Sequence, residues 1–230
     1  MNLISSDKVK CLIIHGFGGG VHEVKPLVEY LTCIGYETYC PVLKGHSSTK
    51  KDMRSATYID WIDSAEQELL RLKKNGEKVI IIGFSMGGLI AFNLACKHNI
   101  KAIVTINTPI YYWNIYRVFL NLLDDLKNKK CKHIRRYLNA KSNSPFSSMI
   151  QFLLLLNKTK PKLEKISCPI LTIQAEDDDT VRIKSVDYIH KHISSSKKTI
   201  RYFHEGGHLI LLSDTTEQVM SCIEDFLKGQ

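Results

Sequence analysis

Four short segments of the 230-residue chain carry side chains whose types and spacing suit nucleophilic attack on an acyl carbon. The clearest is Gly83-Phe84-Ser85-Met86-Gly87-Gly88, which follows an apolar run at 78–82 and leads into an apolar helix near Leu89. This is G-x-S-x-G between a strand and a helix, where it makes a turn too tight for a Cβ at the flanking positions. The central residue is held in a strained backbone that projects its hydroxyl outward. A serine hydroxyl is a poor nucleophile until a base takes its proton, and the base needs an orienting carboxylate. Both must come from other loops at strand ends. The sequence offers Ala175-Glu176-Asp177-Asp178-Asp179-Thr180-Val181 and His204-Glu205-Gly206-Gly207-His208-Leu209. The chain order Ser, Asp, His is the one expected of an elbow-type triad.

Among nine histidines, His208 is preferred because Gly206 and Gly207 let its loop bend the imidazole back towards the elbow; His204 is the rival. The acid is less sharply defined. Asp179 or Thr180 suits a helix cap before Val181, and Asp177 and Glu176 read as solvated. Asp178, with Val181 three residues on to pin the loop, leads Asp177 and Asp179 only modestly. The fourth segment, His15-Gly16-Phe17-Gly18-Gly19-Gly20, brings main-chain N–H groups close to a ligand. An oxyanion would be met by the N–H groups of Phe17 and of Met86, the residue after the nucleophile. The same glycines do not make a dinucleotide fingerprint, since the third glycine position falls on Val21 or Glu23.

The elements that must position these loops alternate. Strands are expected at 9–14, 36–40, 78–82, 101–106, 169–174 and 199–203, and helices at 23–34, near 58–72, and at 86–98, 181–192 and 215–228. That alternation predicts an α/β fold, a mainly parallel sheet of about six strands with helices on both faces, whose ligands sit at the carboxyl ends of the strands.

Composition fits one globular domain, with 44% hydrophobic and 24% charged residues. Seven scattered cysteines with no C-x-x-C pair match neither a disulfide framework nor a zinc site, so a reducing cytoplasm and no metal or organic cofactor are expected. No apolar stretch is long enough for a signal peptide or a spanning helix. The net charge of +9 is concentrated. Residues 110–165 hold 12 basic and 3 acidic residues, and the rest of the chain holds 20 of each. A basic segment with no reading motif gives nucleic-acid binding little support.

At these motifs the chain resembles the alpha/beta hydrolase family, the small bacterial carboxylesterases and monoacylglycerol lipase-like enzymes in particular. The likeness runs through His15-Gly16-Phe17, Pro41-x-x-Lys44-Gly45-His46, Asp60-Trp61, the Ser85 elbow, Gln174-Ala175-x-x-Asp178-x-x-Val181 and Gly207-His208. It implies Ser85, Asp178 and His208 as the triad and Phe17 and Met86 as the oxyanion donors. Gly45-His46 is expected to shape a loop, and Asp60-Trp61 to open a helix and anchor the core. The family's leading antiparallel strands are not expected here. The resemblance also implies that 1–109 and 166–230 form the core and 110–165 a helical cap. Apolar stripes in the cap would mostly pack on the sheet, with Phe119, Leu122, Met149 and Leu153 lining an acyl pocket. Its lysines suit either attraction of anionic substrates, coenzyme A phosphates or an anionic membrane surface, or simply a solvated exterior. The implied activity is hydrolysis of short to medium-chain acyl esters, by a monomer or weak dimer. The alternatives are an acyl thioesterase and a noncatalytic ligand receptor on the same fold.

Overall fold

The computed structural model describes residues 9–47, 50–74, 76–112 and 146–230. Six strands, β1 (Lys10–Ile14), β2 (Glu37–Tyr39), β3 (Val79–Phe84), β4 (Ala102–Ile106), β5 (Ile170–Ala175) and β6 (Lys198–Phe203), form one sheet in the order β2-β1-β3-β4-β5-β6. All five pairings are parallel. The order reverses between β1 and β3, so the loops beyond those two strands diverge to opposite faces and leave a crevice. The glycine loop after β1 and the Ser85 elbow after β3 border it.

The central strands bury both faces, as their unbroken apolar runs require. Alternate residues go to opposite sides. Leu12, Ile14, Val79 and Ile81 join a core under helices α3 (Tyr58–Leu72), α4 (Met86–Ala95) and α5 (Phe146–Thr159). Cys11, Ile13, Ile80 and Ile82 join a second core under α1 (Lys25–Cys33) and α7 (Thr216–Lys228). A short helix α2 (Lys50–Ser55) and helix α6 (Lys184–His192) complete the helices among the described residues.

Two helix starts differ from expectation. The segment expected as helix from 23 begins at Lys25, because Val21–Glu23 is a 3₁₀ turn. The helix expected from 181 begins at Lys184, because Val181 is drawn into an antiparallel bridge with Tyr112 and the Arg182 N–H donates to Tyr111 O at 3.1 Å. Asp179 and Thr180 therefore cap no helix. α3 starts where Asp60-Trp61 suggested: Thr57 and Asp60 make a reciprocal capping box, and Trp61 is fully buried.

Of the segment expected as a cap, residues 113–145 lie outside the described residues. The part described lies on helices rather than on the sheet. α5 buries Phe152, Leu155 and Leu156 against α3 and α4, and two polar bonds fix its register. Asn93 Nδ2 donates to Thr159 Oγ1 at 2.7 Å, and Ser148 Oγ to Met53 O at 2.8 Å. No helix among the described residues is long and apolar enough to cross a membrane.

Candidate active site

Strand register places the candidate residues. Ile14, Phe84, Ile106, Ala175 and Phe203 end five neighbouring strands, and all but Ile106 are followed by one of the four loops singled out above. At the elbow, Ser85 has φ +52° and ψ −118°, a conformation L-residues rarely adopt. The neighbouring glycines are sterically required. A Cβ on Gly83 would lie 2.4 Å from the Gly87 backbone, and one on Gly87 would lie 2.1 Å from Ile14 O. The Ser85 N–H donates to Ile106 O at 2.8 Å, which fixes the elbow to the end of β4.

His208 reaches back to that elbow. Its Nε2 lies 3.0 Å from Ser85 Oγ, and its Nδ1 lies 2.9 Å from Asp178 Oδ2. A carboxylate only accepts, so Nδ1 carries the proton and Nε2 is left to accept from the serine hydroxyl. The Asp178 side chain is fully buried, and its other oxygen accepts from the N–H groups of Thr180 and Val181 at 2.7 and 2.9 Å. Gln174 Nε2 also donates to Oδ2, at 3.4 Å, so four donors hold the acid in place. His204, the rival base, is 92% exposed and paired with Glu176.

Asp177 and Glu176 are not simply solvated. Asp177 accepts from the Gly206 and Gly207 N–H groups at 3.3 and 2.7 Å, gripping the loop that carries His208. Runs of acidic residues beside a strand end give no sign of which carboxylate faces which loop, so sequence reading missed this. It also missed Asn107, whose side chain bonds both the Gly207 and His208 carbonyls. Nothing in the linear sequence marks it.

Of the two expected oxyanion donors, Met86 opens α4, and the N–H groups of a first helical turn have no acceptor within the helix. The positive end of the helix dipole points the same way. Phe17 follows Gly16, whose own N–H donates to Glu23 Oε2 at 3.2 Å. The Glu23 carboxyl fills the glycine loop, and a Cβ on Gly19 would lie 2.1 Å from it. Burial pushes the Glu23 pKa up, against the opposing pull of His208. His15 is neutral by construction. Its Nδ1 donates to Gly16 O at 2.9 Å, its Nε2 accepts from the Leu43 N–H at 3.3 Å, and burial lowers its pKa to about 4.

The Phe17 ring belongs to an aromatic group. Phe152 of α5 lies 5.2 Å from it and Trp61 5.6 Å, while Tyr112 lies 4.9 Å from Phe152. His46 stacks edge-on against Trp61 at 5.7 Å, and Lys44 pairs with Asp60 at 2.5 Å. Lys44 and then Thr57 hold the Asp60 carboxyl at about 2. The Lys44-Gly45-His46 and Asp60-Trp61 motifs are thus two sides of one contact behind the glycine loop that follows β1. Phe119 and Leu122 lie outside the described residues. Met149 is half-buried against the core and Leu153 is 44% exposed; the α5 residue whose ring meets Phe17 is Phe152, one position before Leu153. No group of His, Cys, Asp and Glu side chains among the described residues is arranged to hold a metal ion.

Comparison with known proteins gives a consistent picture. A family model described as the alpha/beta hydrolase fold matches residues 12–125. A thermostable monoacylglycerol lipase from Bacillus sp. (strain H-257) is 32% identical over 215 residues, covering 89% of this chain and 84% of the relative. A carboxylesterase of Bacillus subtilis (strain 168) is 23% identical, covering 94% and 91%. A solved structure from work on two metagenome-derived lipolytic enzymes superposes with a TM-score of 0.81 at 19% identity, covering 97% of this chain and 94% of the other.

Proposed function

The chain belongs to the alpha/beta hydrolase family, and from that premise we propose that it is a serine carboxylic ester hydrolase acting on short to medium-chain acyl esters. The observation that carries the proposal is the relay of 3.0 Å from Ser85 Oγ to His208 Nε2 and 2.9 Å from His208 Nδ1 to Asp178 Oδ2. In the reaction, His208 takes the Ser85 proton as the oxygen attacks the acyl carbonyl. Asp178 holds the imidazole tautomer and stabilises the imidazolium that forms. The N–H groups of Phe17 and Met86 meet the developing oxyanion, with the α4 dipole behind the second of them. His208 then returns the proton to the departing alcohol, and water, activated by the same imidazole, releases the acid from the acyl-enzyme.

Residues 110–165 are the cap in this reading, and the acyl chain lies alongside the Phe17–Phe152 contact, towards Met149. The relatives named for monoacylglycerol lipase and carboxylesterase activity support an ester rather than a thioester substrate. The six described cysteines are free thiols, in keeping with a cytoplasmic protein. Peripheral membrane contact has its own support: Phe146, Ile150, Leu153 and Leu154 are exposed on one face of α5, with Lys158, Lys160, Lys162 and Lys165 next in sequence. Flotation with anionic and with neutral liposomes tests it. Equal recovery with both would remove the electrostatic part.

The decisive experiment on the activity is Ser85→Ala assayed on a nitrophenyl-ester series. Loss of turnover with unchanged folding is expected, and appreciable residual hydrolysis would overturn the assignment.

A further inference from the structure

Asn107 stands one residue beyond β4 and is fully buried. Its φ of +48° is a left-handed backbone that asparagine tolerates better than most residues. Its side chain spans two loops. Nδ2 donates to Gly207 O at 2.9 Å and to His208 O at 2.8 Å, and Oδ1 accepts from the Ala175 N–H at 2.8 Å. Carbonyl oxygens on one side and an N–H on the other allow a single orientation of the amide. Its backbone N–H donates to Ile173 O at 2.9 Å, while the preceding residue, Ile106, receives the Ser85 N–H at 2.8 Å.

The loop carrying the base has little stiffness of its own. Gly206 and Gly207 both have positive φ, +134° and +60°, and glycine restricts the main chain least. Order must therefore be imposed from outside. Asp177 holds the Gly207 N–H, and Asn107 holds the Gly207 carbonyl from β4. Ala175 ends β5 three residues before Asp178, so the amide that holds the base loop also holds the root of the acid loop. The serine is fixed through the adjacent residue of the same strand end.

We infer that Asn107 is a positioning residue of the hydrolytic site, setting the distance between imidazole and carboxylate by clamping the histidine loop to the end of β5. It does not touch substrate. The inference rests on the reading of Ser85, His208 and Asp178 as the triad.

Two variants test it. Asn107→Asp keeps the shape but turns a carboxylate oxygen towards two carbonyl oxygens. Asn107→Gly keeps the left-handed backbone at no steric cost, removes the clamp, and serves if the buried charge of Asn107→Asp prevents folding. Assays run at a temperature where far-UV circular dichroism matches the parent. The expected result is a kcat lower by about 10²-fold with KM within about twofold, the effect of a base displaced by about an ångström. Weakening of the far-downfield proton resonance of the His208 Nδ1–H···Asp178 bond should accompany it. A lower Tm with kcat unchanged below it would assign Asn107 a purely structural role and overturn the inference. Ser85→Ala run alongside separates the failures: an active Ser85→Ala removes the triad, whereas an inactive one beside a fully active Asn107→Gly removes only the clamp.

Discussion

Asp177 and Asp178, adjacent in the chain, grip the same loop at different points. Asp178 Oδ2 meets the His208 imidazole at 2.9 Å, and Asp177 Oδ1 takes the Gly207 N–H at 2.7 Å. One orients the side chain and the other the main chain beneath it. Replacing each by asparagine should separate the two tasks. Asp178→Asn presents an amide to Nδ1 and reverses the tautomer, so kcat should fall by about 10³–10⁴-fold. Asp177→Asn removes one main-chain bond and should lower kcat roughly tenfold. Steady-state kinetics on a nitrophenyl ester give both numbers, and equal losses would contradict the division of labour.

Ser85 sits at φ +52° and ψ −118°, a conformation that costs an L-residue about 1–3 kcal/mol. Glycine adopts it freely but loses about 0.5–1 kcal/mol more chain entropy on folding. Relief of strain is the larger effect, so Ser85→Gly should be more stable by about 1 kcal/mol while inactive. Urea unfolding compares it with Ser85→Ala, which keeps the strain and should show no such gain.

Burial holds His15 at about 4, against 6.5 for a free imidazole. The unfolded chain therefore takes up this proton near pH 6.5 and the folded chain only near pH 4. Protons in that window favour unfolding, and about 3 kcal/mol of stability is lost as the pH falls through it. His15→Gln keeps an acceptor for the Leu43 N–H and does not titrate. Its stability should decline less between pH 7 and pH 4.5. Identical slopes in urea midpoint against pH would dismiss His15 as the cause.

Phe152 is buried between Phe17 and Tyr112, at ring distances of 5.2 and 4.9 Å. Phe152→Ala should cost about 3–5 kcal/mol in stability. In the enzyme that remains folded, the space opened beside Phe17 should move the nitrophenyl-ester optimum to a longer acyl chain. An unchanged chain-length profile would place the acyl pocket elsewhere.

The strands and the elbow were legible because each leaves a local mark: the apolar run before Gly83, the glycines beside Ser85, and Gly206-Gly207 before His208. Six parallel strands followed from the spacing of those runs. Family likeness favours Asp178 over its neighbours, whereas its geometry draws on four donors, from β5, from its own loop and from the loop of His208. Asn107 and Asp177 act across the gaps between loops, and the register that brings them there is set by strand pairing rather than by neighbours in sequence. The early start expected for α6 missed the Tyr112–Val181 bridge for the same reason. Leu153, expected to line the pocket, is 44% exposed instead, because a helical stripe gives a period but not its phase.

Gly87 packs so tightly against the Ile14 carbonyl that a single methyl group would collide with it at 2.1 Å. The loop that follows β1 and the first turn of α4 consequently share one rigid foundation, with no joint between the main-chain donors each contributes. Warming or mild denaturant should leave that pair aligned until the central sheet itself gives way. Any earlier fading of turnover would originate in the glycine-hinged base loop, the softer partner of the two.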